Sequence, residues 1–263
     1  MRIGIITGSG TYALPDFDGA TPREVATEWG STTVTEGRFA GLDVLHVSRH
    51  LPGHPRLSHQ VTHQANIAAL RDLGADAIVA VTVCGAVDPT VPLGSLIVFD
   101  DLHFLVNRLP DGSICTLHTE PGRSGRAHWV FESPFSAGIR GALLEGAAEA
   151  GLTARDGGCY GHVDGPRFNT KAEIRSLAAV GVTAVSQTAG PETVLCGEAE
   201  IPFGLIGYAT DYANGVMDEP TPVETLVRLV DESAGSFAQV LTAALPKLAA
   251  ADLTPVGSHF RFD

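Results

Sequence analysis

The stretch Ile78-Val79-Ala80-Val81-Thr82-Val83-Cys84-Gly85-Ala86-Val87 is apolar, rich in β-branched residues and free of polar alternation. A run of this kind reads as a strand buried on both faces, the condition of a parallel sheet covered by helices. It commits the chain to an α/β class: one domain over 1–263 with a central mixed, largely parallel sheet flanked by helices. In such open sheets ligands bind outside the carboxyl ends of the strands. The run is expected to end at Thr82 and then in the small residues Cys84, Gly85 and Ala86, a hydroxyl beside bare backbone that suits an anion or a sugar.

With 263 residues the chain can bury a substantial core, and no repetitive or low-complexity stretch divides it. A formal charge of -13 argues against nucleic acid or an anionic membrane as partner, though not against a small anion in a local basic pocket. The four cysteines, Cys84, Cys115, Cys159 and Cys196, lack paired metal spacing. Cys84 and Cys196 read as reduced core residues. Arg2 leads at once into strand and turn, so no secretory leader is expected. No apolar run approaches the ~20 residues of a membrane helix. The expectation is a reduced, soluble, cytoplasmic protein.

The first strand, Arg2 to Ile6, closes in Thr7-Gly8-Ser9-Gly10-Thr11, a glycine-flanked turn whose amides and Ser9 hydroxyl suit an anion. Gly8 to Ala13 also fits the dinucleotide pattern G-x-G-x-x-A. Pro15 disfavours the long helix that pattern needs, and no second strand ends in an acid at the right distance. A meander follows over 22–48, delivering Ser48-Arg49-His50 to a Pro-Gly-interrupted loop. Arg49 suits phosphate through its planar fork; the plainer alternative is a surface arginine. Ser58 to Leu73 reads as a helix capped by Ser58, with His59 and His63 on one face. Their spacing raises a metal, but no acid or cysteine completes a ligand set, and none is expected. Residues 103–135 are irregular, a stretch fit to cover a pocket or reach a neighbouring subunit.

Ser136 to Gly151 reads as a helix. The strand Cys159 to Val163 closes in Asp164-Gly165-Pro166-Arg167-Phe168-Asn169, where Phe168 either stacks on a planar ring or serves as an ordinary core residue. Thr170 and Glu173 form a capping pattern for the next helix. The strand Val182 to Val185 ends in Ser186-Gln187-Thr188, and a helix from Pro191 carries Glu192 at its positive end. The last core strand, Phe203 to Ala209, runs into Thr210-Asp211. A carboxylate there is costly unless it serves structure or ligand. Thr221 is expected to open the closing helix, and the tail from Leu253 shows no pattern.

These pieces together resemble the trimeric purine nucleoside phosphorylase family, in particular its methylthioadenosine and methylthioinosine phosphorylase branch. The carriers, in chain order, are Gly4-Ile5-Ile6-Thr7-Gly8-Ser9-Gly10, Ser48-Arg49-His50 with Val61-Thr62-His63-Gln64-Ala65-Asn66-Ile67, Thr82-Val83-Cys84-Gly85, Asp164-Gly165-Pro166-Arg167-Phe168, Thr188-Ala189-Gly190-Pro191-Glu192 and Ala209-Thr210-Asp211-Tyr212. The resemblance implies phosphorolysis of a purine nucleoside, with inorganic phosphate as co-substrate and no cofactor. It implies that Ser9, Arg49, His50, Thr82, Val83 and Thr188 hold phosphate. Phe168, Asn169, Asp211 and Ala213 would face the base, and Gln187 the ribose. His128 would reach the sugar's 5′ side from a neighbouring subunit, and Asp211 and His50 would be the catalytic pair. It further implies a homotrimer or a dimer of trimers. The sequence departs from the family at Ala213, where a second acid is usual in the methylthioadenosine enzymes, and at Gln187, where methionine is usual. The methylthioinosine enzymes tend to have asparagine and then alanine in the places of Asp211 and Ala213, so this pair is a hybrid, and the resemblance favours a 6-amino, methylthioadenosine-like substrate through Asp211. A 6-oxopurine phosphorylase and a non-catalytic nucleoside-binding protein stand as alternatives, with a dinucleotide-dependent oxidoreductase as a remote one.

Overall fold

The computed structural model describes residues 1–262. In chain order its elements are β1 (Arg2–Thr7), β2 (Asp18–Thr27), β3 (Gly30–Phe39), β4 (Leu42–Ser48), α1 (His63–Asp72), β5 (Ala77–Ala86), β6 (Leu96–Val98) and β7 (Asp101–His103). They continue as β8 (Ala127–Phe131), α2 (Ala137–Glu149), β9 (Ala154–Asp156), β10 (Cys159–His162), α3 (Lys171–Ala179), β11 (Val182–Ser186), α4 (Ala189–Glu198), β12 (Phe203–Tyr212), α5 (Val223–Ala244) and β13 (Gly257–Arg261).

Eleven of these strands form one mixed sheet, in which the path β2-β3-β4-β1-β5-β11-β10-β7 carries a branch through β12 to β6 and β9. The predicted β5 is its centre. Ala77, Val79 and Val81 face the core shared with α2 and α5, whereas Ile78, Ala80, Cys84 and Ala86 face the core shared with α1 and α4. That two-sided burial is the reason the run carries no polar alternation. The strand runs from Ala77 to Ala86, with Thr82 inside it and the small residues Cys84, Gly85 and Ala86 at its end, and β12 pairs with it from Ile78 onward.

One edge of β5 is shared in an unusual way. β1 runs parallel to it over Ala77–Ala80, and β11 meets it antiparallel at Gly85 and Ala86. Between them Val81, Thr82, Val83 and Cys84 have no strand partner on that edge. The carboxyl ends of β1 and β11 thus converge from opposite directions on one gap. On the other edge β12 carries an extra residue: Ala209 pairs with Cys84 and Asp211 with Gly85, leaving Thr210 as a bulge.

Four expectations are corrected. Ser58 does not cap a helix over 58–73; Ser58–Gln60 is a single 3-10 turn and α1 starts at His63, so His59 and His63 share no helix face. The Ser58 hydroxyl is spent elsewhere, donating to Gln187 Oε1 at 2.7 Å. α4 starts at Ala189 rather than Pro191, because the buried Tyr160 hydroxyl accepts from its first amide at 3.1 Å. The Thr221 hydroxyl accepts from the Tyr212 amide instead of capping α5. The unpatterned tail forms β13, pairing antiparallel with β8.

Candidate active site

The gap in the sheet opens into a cavity of about 300 Å³. It is lined by every site residue singled out in the sequence except His128. Its floor is the unpaired edge of β5, Thr82 and Val83. The turn after β1 brings Gly8 and Ser9, the segment after β4 brings Arg49 and His50, and the end of β11 brings Ser186, Gln187 and Thr188. The loop after β10 adds Phe168 and Asn169, and the bulged end of β12 adds Thr210, Asp211 and Ala213. His128 stands exposed on β8, outside this cavity. No residue of the 103–135 stretch lines it either, so within its own chain that stretch does not cover the pocket.

Arg49 is no surface residue: it is 1% exposed and its guanidinium reaches the unpaired edge of β5. Nη1 donates to the Val81 carbonyl at 2.8 Å, one of the groups that β1 and β11 leave without a strand partner. Nε and Nη2 donate to the two carboxylate oxygens of Glu192 at 2.8 and 2.7 Å, a bidentate pair with both side chains out of water. Two of its five N–H groups remain for a ligand. Gly8 has to be glycine here, because a Cβ would come within 2.5 Å of Nη1. Glu192 was legible only as an acid in the first turn of a helix. Its true partner lies far off in sequence, and its apolar neighbours Pro191, Leu195 and Cys196 were the one sign of burial.

His50 donates Nδ1–H to the Arg56 carbonyl at 2.9 Å, since a carbonyl only accepts. Burial and the Arg49 charge press its pKa down to about 3, so the ring is neutral with Nε2 as acceptor. It stacks on His54, 4.3 Å between centroids, which in turn meets the Tyr12 hydroxyl at 3.0 Å. Thr82 Oγ1 lies 3.1 Å from Ser186 Oγ, joining two hydroxyls across the gap. His54, Ser58 and Ser186 were not anticipated as lining residues.

On the other side, burial raises the Asp211 pKa, opposed by the Thr210 hydroxyl that donates to Oδ1 at 2.9 Å. Oδ2 lies over Gly85, where a Cβ would sit 3.2 Å away. Ala213 is buried beside it and adds no second carboxylate. Phe168 is 62% exposed, which removes the core alternative and leaves a bare aromatic face at the cavity. Leu226 and Val230 of α5 line the wall with apolar groups. Among the described residues no group of three or more His, Cys, Asp or Glu is placed to hold a metal ion. No helix among them is long and apolar enough to cross a membrane.

Comparison with known proteins places this arrangement. Residues 2–246 match the family model described as "Phosphorylase superfamily". The chain is 36% identical over 251 residues to the S-methyl-5′-thioadenosine phosphorylase of Pyrobaculum aerophilum, covering 94% of this chain and 88% of that protein. It is 32% identical over 251 residues to the 6-oxopurine nucleoside phosphorylase of Pyrococcus furiosus, covering 93% and 92%. Among solved structures, the methylthioadenosine phosphorylase of Schistosoma mansoni in complex with adenine superposes with a TM-score of 0.86 at 26% identity, covering 96% of this chain and 93% of that one.

Proposed function

This chain belongs to the phosphorylase superfamily, and from that premise we propose that it is a pentosyltransferase that cleaves purine nucleosides with inorganic phosphate. The observation that carries the reading is the single cavity in which a buried arginine and a ring of hydroxyls meet a desolvated carboxyl and an exposed aromatic ring.

In this reading the phosphate sits at the gap in the sheet. The two spare N–H groups of Arg49, the Ser9, Thr82 and Thr188 hydroxyls and the Val83 backbone hold it. His50 Nε2 accepts from the P–OH of hydrogen phosphate, so His50 belongs to phosphate binding rather than to proton donation. The purine lies against Phe168, with Asn169 and Asp211 at its edge. A phosphate oxygen bonds to the anomeric carbon as the bond from that carbon to the purine nitrogen breaks and its electron pair leaves with the base. Anion placement beneath an oxocarbenium-like sugar lowers the barrier by proximity and charge. Burial shifts Asp211 toward its protonated form, and a proton passed from it to the purine N7 would let the base leave neutral. General acid help of this kind is worth about 10²–10⁴-fold.

Two features favour a 6-amino, 5′-methylthio substrate. Asp211 is the one acid lining the cavity: while one of its oxygens gives a proton to N7, the other accepts from an exocyclic 6-amino group, a bond that a 6-oxo group does not offer. Leu226 and Val230 suit a thioether better than a hydroxyl. The trimer or dimer of trimers is part of the same reading. It would let His128 of one copy complete another's sugar site, since that residue stands away from its own cavity. Phosphate is the only co-substrate required, and the cytoplasm is the expected compartment. Incubation with methylthioadenosine, methylthioinosine, adenosine and inosine, with and without phosphate, tests the assignment. Free base is expected only with phosphate and fastest from methylthioadenosine. Asp211→Asn is expected to lower kcat at least tenfold on that substrate; wild-type turnover in the variant would remove Asp211 from the chemistry.

A further inference from the structure

Phe168 presents a problem that the rest of the site does not. Its ring is largely exposed, so packing does not fix it, yet a stacking platform must stand at a set height. What holds the chain that carries it is a set of backbone bonds. The Gln187 Nε2 donates to the carbonyl of Arg167, the residue before Phe168, at 3.0 Å. Gln187 Oε1 in turn accepts from the Ser58 hydroxyl at 2.7 Å. The amide therefore bridges the segment that follows His50 and the loop that follows β10. That loop rests directly on the bridge: a Cβ on Gly165 would collide with both Gln187 Oε1 and Ser58 Oγ. On the far side the loop is held by the bidentate pair of Arg167 with Glu173, at 2.8 and 2.7 Å, and by Asn214 Nδ2 donating to the Asn169 carbonyl at 2.7 Å.

We infer that Gln187 is a positioning residue for the base: the Ser58–Gln187–Arg167 chain of hydrogen bonds sets Phe168 against the purine from the cavity side. The amide serves this role because it donates and accepts at once. A methionine or leucine at 187 fills the same space and makes neither bond. A glutamate accepts from Ser58 but sets its acceptor oxygens against the Arg167 carbonyl. The inference rests on the purine-binding reading above, and the experiment separates the two.

Adenine alone is the probe, because it carries no sugar. Calorimetric titration of adenine, with KM for methylthioadenosine and for phosphate and kcat, is measured for the wild type and for Gln187→Leu, Gln187→Glu and Ser58→Ala. Adenine affinity is expected to fall about three- to tenfold in each variant, the scale of one net hydrogen bond. The phosphate KM is expected to stay within twofold. Ser58→Ala leaves Gln187 in place and keeps the test decisive if a position-187 variant folds badly. Unchanged adenine affinity overturns the inference; a raised nucleoside KM beside it would give Gln187 to the sugar. A matching loss in the phosphate KM also overturns it, since the chain of bonds would then support the whole site and not the platform. A wild-type protein that binds no adenine would instead overturn the purine reading itself.

Discussion

Arg49 and Glu192 lie 143 positions apart in the chain and meet through two hydrogen bonds in a place water does not reach. Burying two charges is repaid only by such geometry, and removing one partner strands the other. Glu192→Ala is therefore expected to destabilise the protein by about 3–5 kcal/mol, read by urea unfolding, and to raise the phosphate KM. A loss under about 1 kcal/mol would mean that the pair is hydrated. The sequence made the residue types legible but not this pairing. Arg49 was visible as an anion ligand because it follows a strand, and Glu192 was visible only as a helix-terminal acid. Three-dimensional neutralisation has no short-range signature. The same holds for His50, whose spacing could not reveal that the Arg56 carbonyl accepts from its Nδ1–H.

Among the elements, α2 and α5 show where helix packing overrides helix propensity. A Cβ on the buried Gly146 of α2 would lie 2.8 Å from the Ala244 backbone nitrogen and 2.9 Å from the Val240 carbonyl oxygen of α5, so the helices would have to part. At Gly141 of the same helix a Cβ would meet nothing within 4 Å. Gly141→Ala should raise stability by roughly 0.5–1 kcal/mol. Gly146→Ala should lose about 1–3 kcal/mol to overpacking despite the same intrinsic gain. Denaturation midpoints of the two variants check the pair, and equal shifts would contradict the close approach. Elements whose signals are local were readable: the meander, the two-sided β5, and α3, where Thr170 and Glu173 exchange bonds with each other's backbone. Elements set by distant partners were not. β13 exists because β8 lies beside it, α4 starts two residues early where Tyr160 accepts from its first amide, and Ser58 gave up a cap for Gln187.

At the scale of the whole molecule, buried imidazoles couple folding to acidity. Burial lowers His46 to about 4, and His50 and His162 to about 3; His63 lies well below its ordinary value for the same reason, with His162 adding to it. Each pKa is lower in the folded than in the unfolded chain. The unfolded state therefore takes up more protons below the ordinary histidine value near 6.5, and stability falls as pH drops from there toward 4 and 3. Between pH 7.5 and 5.5 each such histidine contributes on the order of 1 kcal/mol of loss, a few kcal/mol together. Asp211, raised by burial, works in the opposite direction but only in and above the carboxylate range. Urea midpoints at the two pH values check this, and a flat profile would mean that these rings titrate in the fold as they do in the unfolded chain. The break along β5 carries a mechanical consequence as well. The strands leading to β1 and those leading to β11 touch the centre at separate points, and Arg49, donating to the Val81 carbonyl, reaches between them. In the proposed reading a phosphate held between Ser9 at the end of β1 and Thr188 at the end of β11 would tie the two wings of the sheet together, so that its loss would loosen the sheet first along this seam.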